Sequence, residues 1–163
     1  MKAVCFTGHR IIMITDRMRK KLRSTLIELI ENGAEDFYAG GAVGWDMLCE
    51  QTVLRLRREY PHIRLHIIMP CPAEEQSAEW NEEDKFAYSE ILVEADSREM
   101  ISKSYACGCM KKRNQRLVEL ADCCVCWHNE SISVCGTAQT VRMAREKGIP
   151  ILHLSDYPLD TGI

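Results

Sequence analysis

The 163 residues are of single-domain size, and a net charge of -3 leaves no global positive field to recruit nucleic acid. A hydrophobic fraction of 46% and a charged fraction of 28% are ordinary for a soluble globular chain, and no apolar run approaches the length of a membrane span. The odd count of 9 cysteines, and an N-terminus MKAVCFTGHR that enters a strand with no signal-peptide pattern, predict a reducing cytoplasm without structural disulfides.

Residues 2–8 read as a first strand, short, apolar and ended by glycine. Thr15 or Asp16 caps a helix whose Met18, Leu22, Leu26, Leu29 and Ile30 share a face, and Gly33 stops it. Residues 36–40 form a second strand, residues 45 to about 58 a second helix, and residues 63–69 a third strand. Pro70-Cys71-Pro72 ends that strand, and residues 73–80 read as a polar connection. Asn81 caps a helix to about residue 95, followed by a short strand over 98–102. A helix over 110–121, a strand over 123–128, a helix over 137–147 and a strand over 150–154 complete the chain. Strands and helices alternate without repeats or a linker, which predicts one α/β domain with a mostly parallel sheet and helices on both faces.

In such a sheet, ligands bind beyond the carboxyl ends of the strands, near the point where strand order reverses. The segments to inspect therefore follow the strands. They are Thr7-Gly8-His9-Arg10, then Gly40-Gly41-Ala42-Val43-Gly44-Trp45-Asp46, then Pro70-Cys71-Pro72, then Trp127-His128-Asn129, and Ser133-Val134-Cys135-Gly136-Thr137 at a helix start. Helix N-termini offer free N–H groups and the positive end of the dipole, and glycine lets a phosphate approach the backbone. Two such turns and Arg10 at one rim point to a phosphate-bearing ligand; glycines that merely permit tight turns are the plainer alternative. The glycines do not follow the first strand as a dinucleotide fingerprint requires, and no Gly-Lys-Ser/Thr completes a P-loop. No cofactor is expected.

TGHR, GGAVGWD, KKRNQRLVELAD and CGTAQTVRMA, in that order, resemble the YpsA-like proteins of the SLOG superfamily, named for its Smf/DprA and LOG members. GGAVGWD is also similar to the SG-x-A-x-G-x-D turn of DprA-type proteins. The resemblance covers nearly the whole chain and implies a Rossmann-like fold with a rim pocket for a nucleotide or nucleotide-derived small molecule; the expected role is that of a sensor or regulatory module. It implies a pocket lined by Gly8, Arg10, Gly40, Gly41, Gly44, Asp46, Arg113, Asn114, Gly136 and Thr137, and His9 is the histidine best placed to join them. Where the family shows Gly-Gly-Thr at its last turn, this chain has Cys135-Gly136-Thr137. Cys135 would either narrow the phosphate seat or point away from it.

LOG relatives are phosphoribohydrolases with a motif resembling P-G-G-x-G-T-x-x-E, and its glutamate belongs to the catalytic set. A carboxylate suits that reaction because positive charge builds on the ribose as the glycosidic bond breaks. Here Thr140 takes the glutamate position, so hydrolysis is the runner-up and no catalytic residue is assigned. Asp46 or Glu50 would substitute if either faces the pocket, whereas a cap or dipole partner is the plain role for Asp46. A DprA-like grip on single-stranded DNA ranks third, since charge is negative and aromatics are only 7%. No membrane partner is expected, and assembly into a homo-oligomer is left open. Cys107-Gly108-Cys109 and Cys123-Cys124-Val125-Cys126 lack the usual CxxC spacing, so no metal is expected.

Overall fold

The computed structural model describes residues 1–129 and 135–155. The first half carries β1 (Ala3–Gly8), α1 (Asp16–Glu31), β2 (Asp36–Ala39), α2 (Trp45–Leu56), β3 (Arg64–Met69) and a short α3 (Ala73–Gln76). The second half adds α4 (Glu82–Glu94), β4 (Ser97–Met100), α5 (Cys109–Leu120), β5 (Cys123–Trp127), α6 (Gly136–Lys147) and β6 (Ile151–His153). Polar caps start two helices as the sequence predicts. Thr15 Oγ1 accepts from the Met18 N–H at 3.1 Å, and Asn81 Oδ1 from the Asp84 N–H at 2.8 Å.

The strands form a six-stranded sheet of order β4-β3-β2-β1-β5-β6, parallel at every pairing. The architecture is α/β and Rossmann-like. From β1 the chain steps outward to β4, then crosses back to lay β5 on the other side of β1. Strand order therefore reverses between β1 and β5, which opens a crevice beyond their carboxyl ends.

Alternation along the strands builds a layer on each face of the sheet. Val4, Phe6, Phe37, Leu65, Ile67 and Val125 face one way, against Leu22, Leu26, Val53 and Ile91 of α1, α2 and α4. Cys5, Cys124 and Cys126 face the other way, against Leu117 and Val118 of α5 and Val141 and Ala144 of α6. These thiols act as small apolar side chains. Each large side chain buried in this manner contributes about 1.5–3 kcal/mol.

Two elements depart from the sequence reading. The connection predicted over 73–80 opens with α3, where Pro72 sets φ at -54° and Glu74 and Glu75 complement the helix start. The strand predicted over 98–102 begins one residue earlier, at Ser97, although Ile101 and Ser102 still donate to the Met69 and Pro70 carbonyls. Among the described residues, no helix is long and apolar enough to cross a membrane.

Candidate functional site

The exit of β1 is held at three points. Gly8 lies flat under the Trp45 indole, and any Cβ there would overlap the ring. The His9 N–H donates to the Trp127 carbonyl at 3.3 Å, and the His9 carbonyl accepts from the Trp45 N–H at 3.2 Å. The ring Nε2 of His9 accepts from the Asn129 N–H at 2.8 Å, which leaves its proton on Nδ1. Burial, and then His128 beside it, hold the His9 pKa below the ordinary 6.5. Arg10 leaves this knot exposed, with its guanidinium 3.8 Å from Met110 Sδ.

The glycine turn after β2 is packed on every side. The Gly40 carbonyl accepts from Arg113 Nη1, so β2 ends at Ala39 and the backbone turns toward α5. A Cβ at Gly40 would meet that guanidinium, and one at Gly41 would meet the Tyr88 ring. Gly41 donates its N–H to Glu50 Oε1 at 2.9 Å. Gln76 Nε2 lies 3.4 Å from both the Gly40 and the Gly41 carbonyl, and Gln76 Oε1 accepts from the Tyr88 hydroxyl at 2.9 Å. At Gly44, φ is +80° and the Arg10 carbonyl oxygen occupies the space of a Cβ, so both backbone and neighbours demand glycine.

A cavity of about 190 Å³ opens beyond β1 and beside this turn. Of the residues predicted from sequence, Gly8, His9, Arg10, Asp46, Arg113, Asn114, Gly136 and Thr137 line it. Gly40, Gly41 and Gly44 are not in the wall; they sit one layer behind it, where Ala42 is the turn residue that reaches the cavity. Sequence reasoning missed Phe6, Met110 and Leu117, and placed Thr7 and Ala42 in the rim segments without naming them as pocket residues. For Met110 and Leu117 a signal existed, since they lie three or four positions from Arg113 and Asn114 on one face of α5. Ser133 and Val134, named with the last turn, lie outside the described residues.

Charge in the site is unusually deep. Arg113 is buried, and its Nε donates to Asn114 Oδ1 at 2.8 Å. Asp46, buried in the first turn of α2, has its pKa raised by burial, with Arg113, the Ala42 and Gly40 backbone and Arg10 opposing the rise. Glu50 is wholly buried and does not line the cavity. Its Oε2 has no hydrogen-bond partner, and burial followed by the Asp46 charge holds its pKa well above the ordinary 4.5. Asp46 thus presents its carboxyl group to the cavity, while Glu50 lies behind the wall, where burial favours its neutral form.

At the opposite wall Cys135 caps α6, its Sγ accepting from the Ala138 N–H at 3.3 Å. The side chain lines the cavity and holds one of the helix donors that a glycine would leave open. Thr140 is wholly buried, and its Oγ1 donates to the Gly136 carbonyl at 2.9 Å, inside the helix. Trp45 is also wholly buried, with its ring 5.5 Å from that of Trp127. Among the described residues, no three of the His, Cys, Asp and Glu side chains are grouped to hold a metal ion.

The sequence profile of the YspA SLOG family (YpsA) matches residues 9–155, from the β1 exit to just past β6. The chain belongs to this family. Proteins similar to this chain include several named UPF0398. One from Halalkalibacterium halodurans is 29% identical over 133 residues, 75% of this chain and 69% of the relative. One from Bacillus pumilus is 31% identical over 133 residues, 75% and 70% of the two chains. One from Listeria monocytogenes is 34% identical over 112 residues, 63% and 60% of the two chains. The profile begins at His9, so the YpsA likeness takes in the Arg10, Asp46, Arg113 and Thr137 positions of the cavity.

Proposed function

We propose that this YpsA-family chain binds a nucleotide or nucleotide-derived small molecule in the cavity beyond β1, as a cytoplasmic sensor or regulatory module. The observation that carries the reading is the convergence of Arg10, Arg113 and the α6 N-terminus on one cavity at the strand-order reversal. Two guanidinium groups and a helix start favour a phosphate or another anion, whereas Asp46 favours hydroxyl donors such as those of a ribose. The test is a thermal-shift screen over nucleoside mono-, di- and triphosphates, NAD and ADP-ribose, with mass spectrometry of any co-purified small molecule. A stabilised transition with at least one of them supports the reading; a flat response across the panel, with nothing co-purified, overturns it.

A second reading is hydrolysis of a nucleoside monophosphate at its N-glycosidic bond. It draws support from Asp46, a carboxylate in the cavity wall that stands where Thr140 cannot. Loss of one preorganised electrostatic partner lowers rates about 10²–10³-fold, so Thr140 argues for negligible turnover of AMP. Chromatography for free adenine and ribose 5-phosphate decides the matter. Brisk release that is abolished by Asp46→Asn would favour the enzyme.

A further inference from the structure

The segment that follows Arg10 is Ile11-Ile12-Met13-Ile14, four apolar residues in a connection without helix or strand. Ile12 packs against the main hydrophobic cluster, and its neighbours Ile11 and Met13 stand in solvent with 96% and 83% of their surface exposed. The segment is not a loose tail. Upstream, His9 and the Arg10 backbone are clamped against Trp45, Asn129 and Gly44; downstream, Thr15 caps α1. A soluble domain gains nothing in stability by holding two large apolar side chains in water on a fixed backbone.

The cavity whose wall includes Arg10, the residue just before this segment, measures about 190 Å³. Pockets that enclose a drug-sized ligand start at roughly 300 Å³. A ribose phosphate fits such a space, and the base of the same nucleotide then has to lie outside it. Resting on the nucleotide reading above, we infer that Ile11 and Met13 form the external platform for the planar base of a nucleotide whose phosphate and ribose sit in the cavity against Arg10, Arg113 and Asp46. The contact is apolar, so it grips a base face without reading its hydrogen-bonding edge.

Calorimetry on the full chain and on an Ile11→Ser/Met13→Ser variant tests this, with the four nucleoside 5′-monophosphates and ribose 5-phosphate as probes. Exposed positions tolerate serine, so the variant is expected to unfold at an unchanged urea midpoint. The expected result is a loss of about tenfold in affinity for the tightest nucleoside monophosphate, equal to about 1.4 kcal/mol, with ribose 5-phosphate affinity unchanged. Equal losses for both probes, or no loss for either, overturn the platform while leaving the cavity reading intact. A variant that changes from dimer to monomer in sedimentation, with unaltered nucleotide affinity, assigns the two side chains to a second copy of the chain and also overturns it. If the unmodified protein binds neither kind of probe, the platform is overturned, and the nucleotide reading stands or falls with the wider thermal-shift panel.

Discussion

Two strand-to-helix connections lie side by side at the same rim and are built on opposite principles. The turn after β2 holds three of the 9 glycines, and their space is filled by Arg113, Tyr88 and the Arg10 carbonyl. Its polar groups are engaged internally, by Glu50, Gln76 and Arg113. The connection after β1 has no glycine beyond Gly8, exposes Arg10, Ile11 and Met13, and supplies side chains to the cavity wall. The glycine-rich turn is therefore the buried buttress, and the plain-looking connection is the one whose side chains line the cavity. Glycine density measures how closely chain segments approach; here the approaching groups are the protein's own.

The contrast breaks most visibly at Gly44. Gly44→Ala forces a side chain into a left-handed backbone and against the Arg10 carbonyl, and is expected to lower unfolding free energy by about 2–5 kcal/mol in urea titration. Ile11→Ser, in the neighbouring connection, should stay within about 0.5 kcal/mol of the parent. Similar losses at both positions would erase the distinction.

Next in size is the proton beneath the turn. Below pH 4.5 both folded and unfolded chains hold the Glu50 proton. Above it the unfolded chain releases first, because burial raises the folded value, so this residue's contribution to stability falls as pH rises toward that value. Glu50→Gln removes the titration. Its stability relative to the parent should therefore climb from about pH 4.5 upward, by at most about 1.4 kcal/mol per pH unit. Parallel stability curves for the two proteins would show that Glu50 is ionised in the fold.

Arg10→Ala tests the other connection. Loss of a charge-assisted bond to phosphate costs about 1.5–3 kcal/mol, or roughly tenfold to a hundredfold in affinity for the tightest nucleoside monophosphate, with the urea midpoint unchanged. Unaltered affinity in calorimetry removes Arg10 from the site. The smallest effect belongs to Cys135→Gly, which restores the family's Gly-Gly-Thr. It should change stability by only a few tenths of a kcal/mol, as for other caps replaced by glycine. By freeing the Ala138 N–H it should also raise phosphate affinity a few-fold in the same assay.

Much of the architecture was legible because the strands are short apolar runs and the helices carry punctual caps. Thr15 and Asn81 mark their helix starts in the sequence and bond as caps in the fold. The edge strand β4 was harder to bound, since Ser97, Arg98 and Met100 are exposed and show no buried alternation. The wall of the candidate cavity was legible in outline from Gly8, Arg10, Asp46, Arg113 and the α6 start. What the sequence hid was the layering. Nothing local marks Glu50, Gln76 and Tyr88 as a buried polar network, because their partners lie on separate elements and only the crossing of α2, α3 and α4 brings them together. The same holds for Cys135, whose role depends on where α6 begins.

The strand-order reversal also sets a timetable. β1 finds β2 within the first 39 residues, but its other neighbour is β5, so that the Lys2 and Ala3 N–H groups close onto Asp122 across 120 and 119 positions. During synthesis, the segments from β1 to β4 can pair while α5, β5 and α6 have yet to leave the ribosome. Through that interval the β1 exit has Arg10 and Asp46 in reach but no Arg113, Cys135 or Thr137 to close the cavity. Because such distant pairing is the slow, entropically costly step of folding, the cavity is completed only with the last third of the chain, and any ligand that the proposed reading seats there would favour the finished protein over its partly made forms.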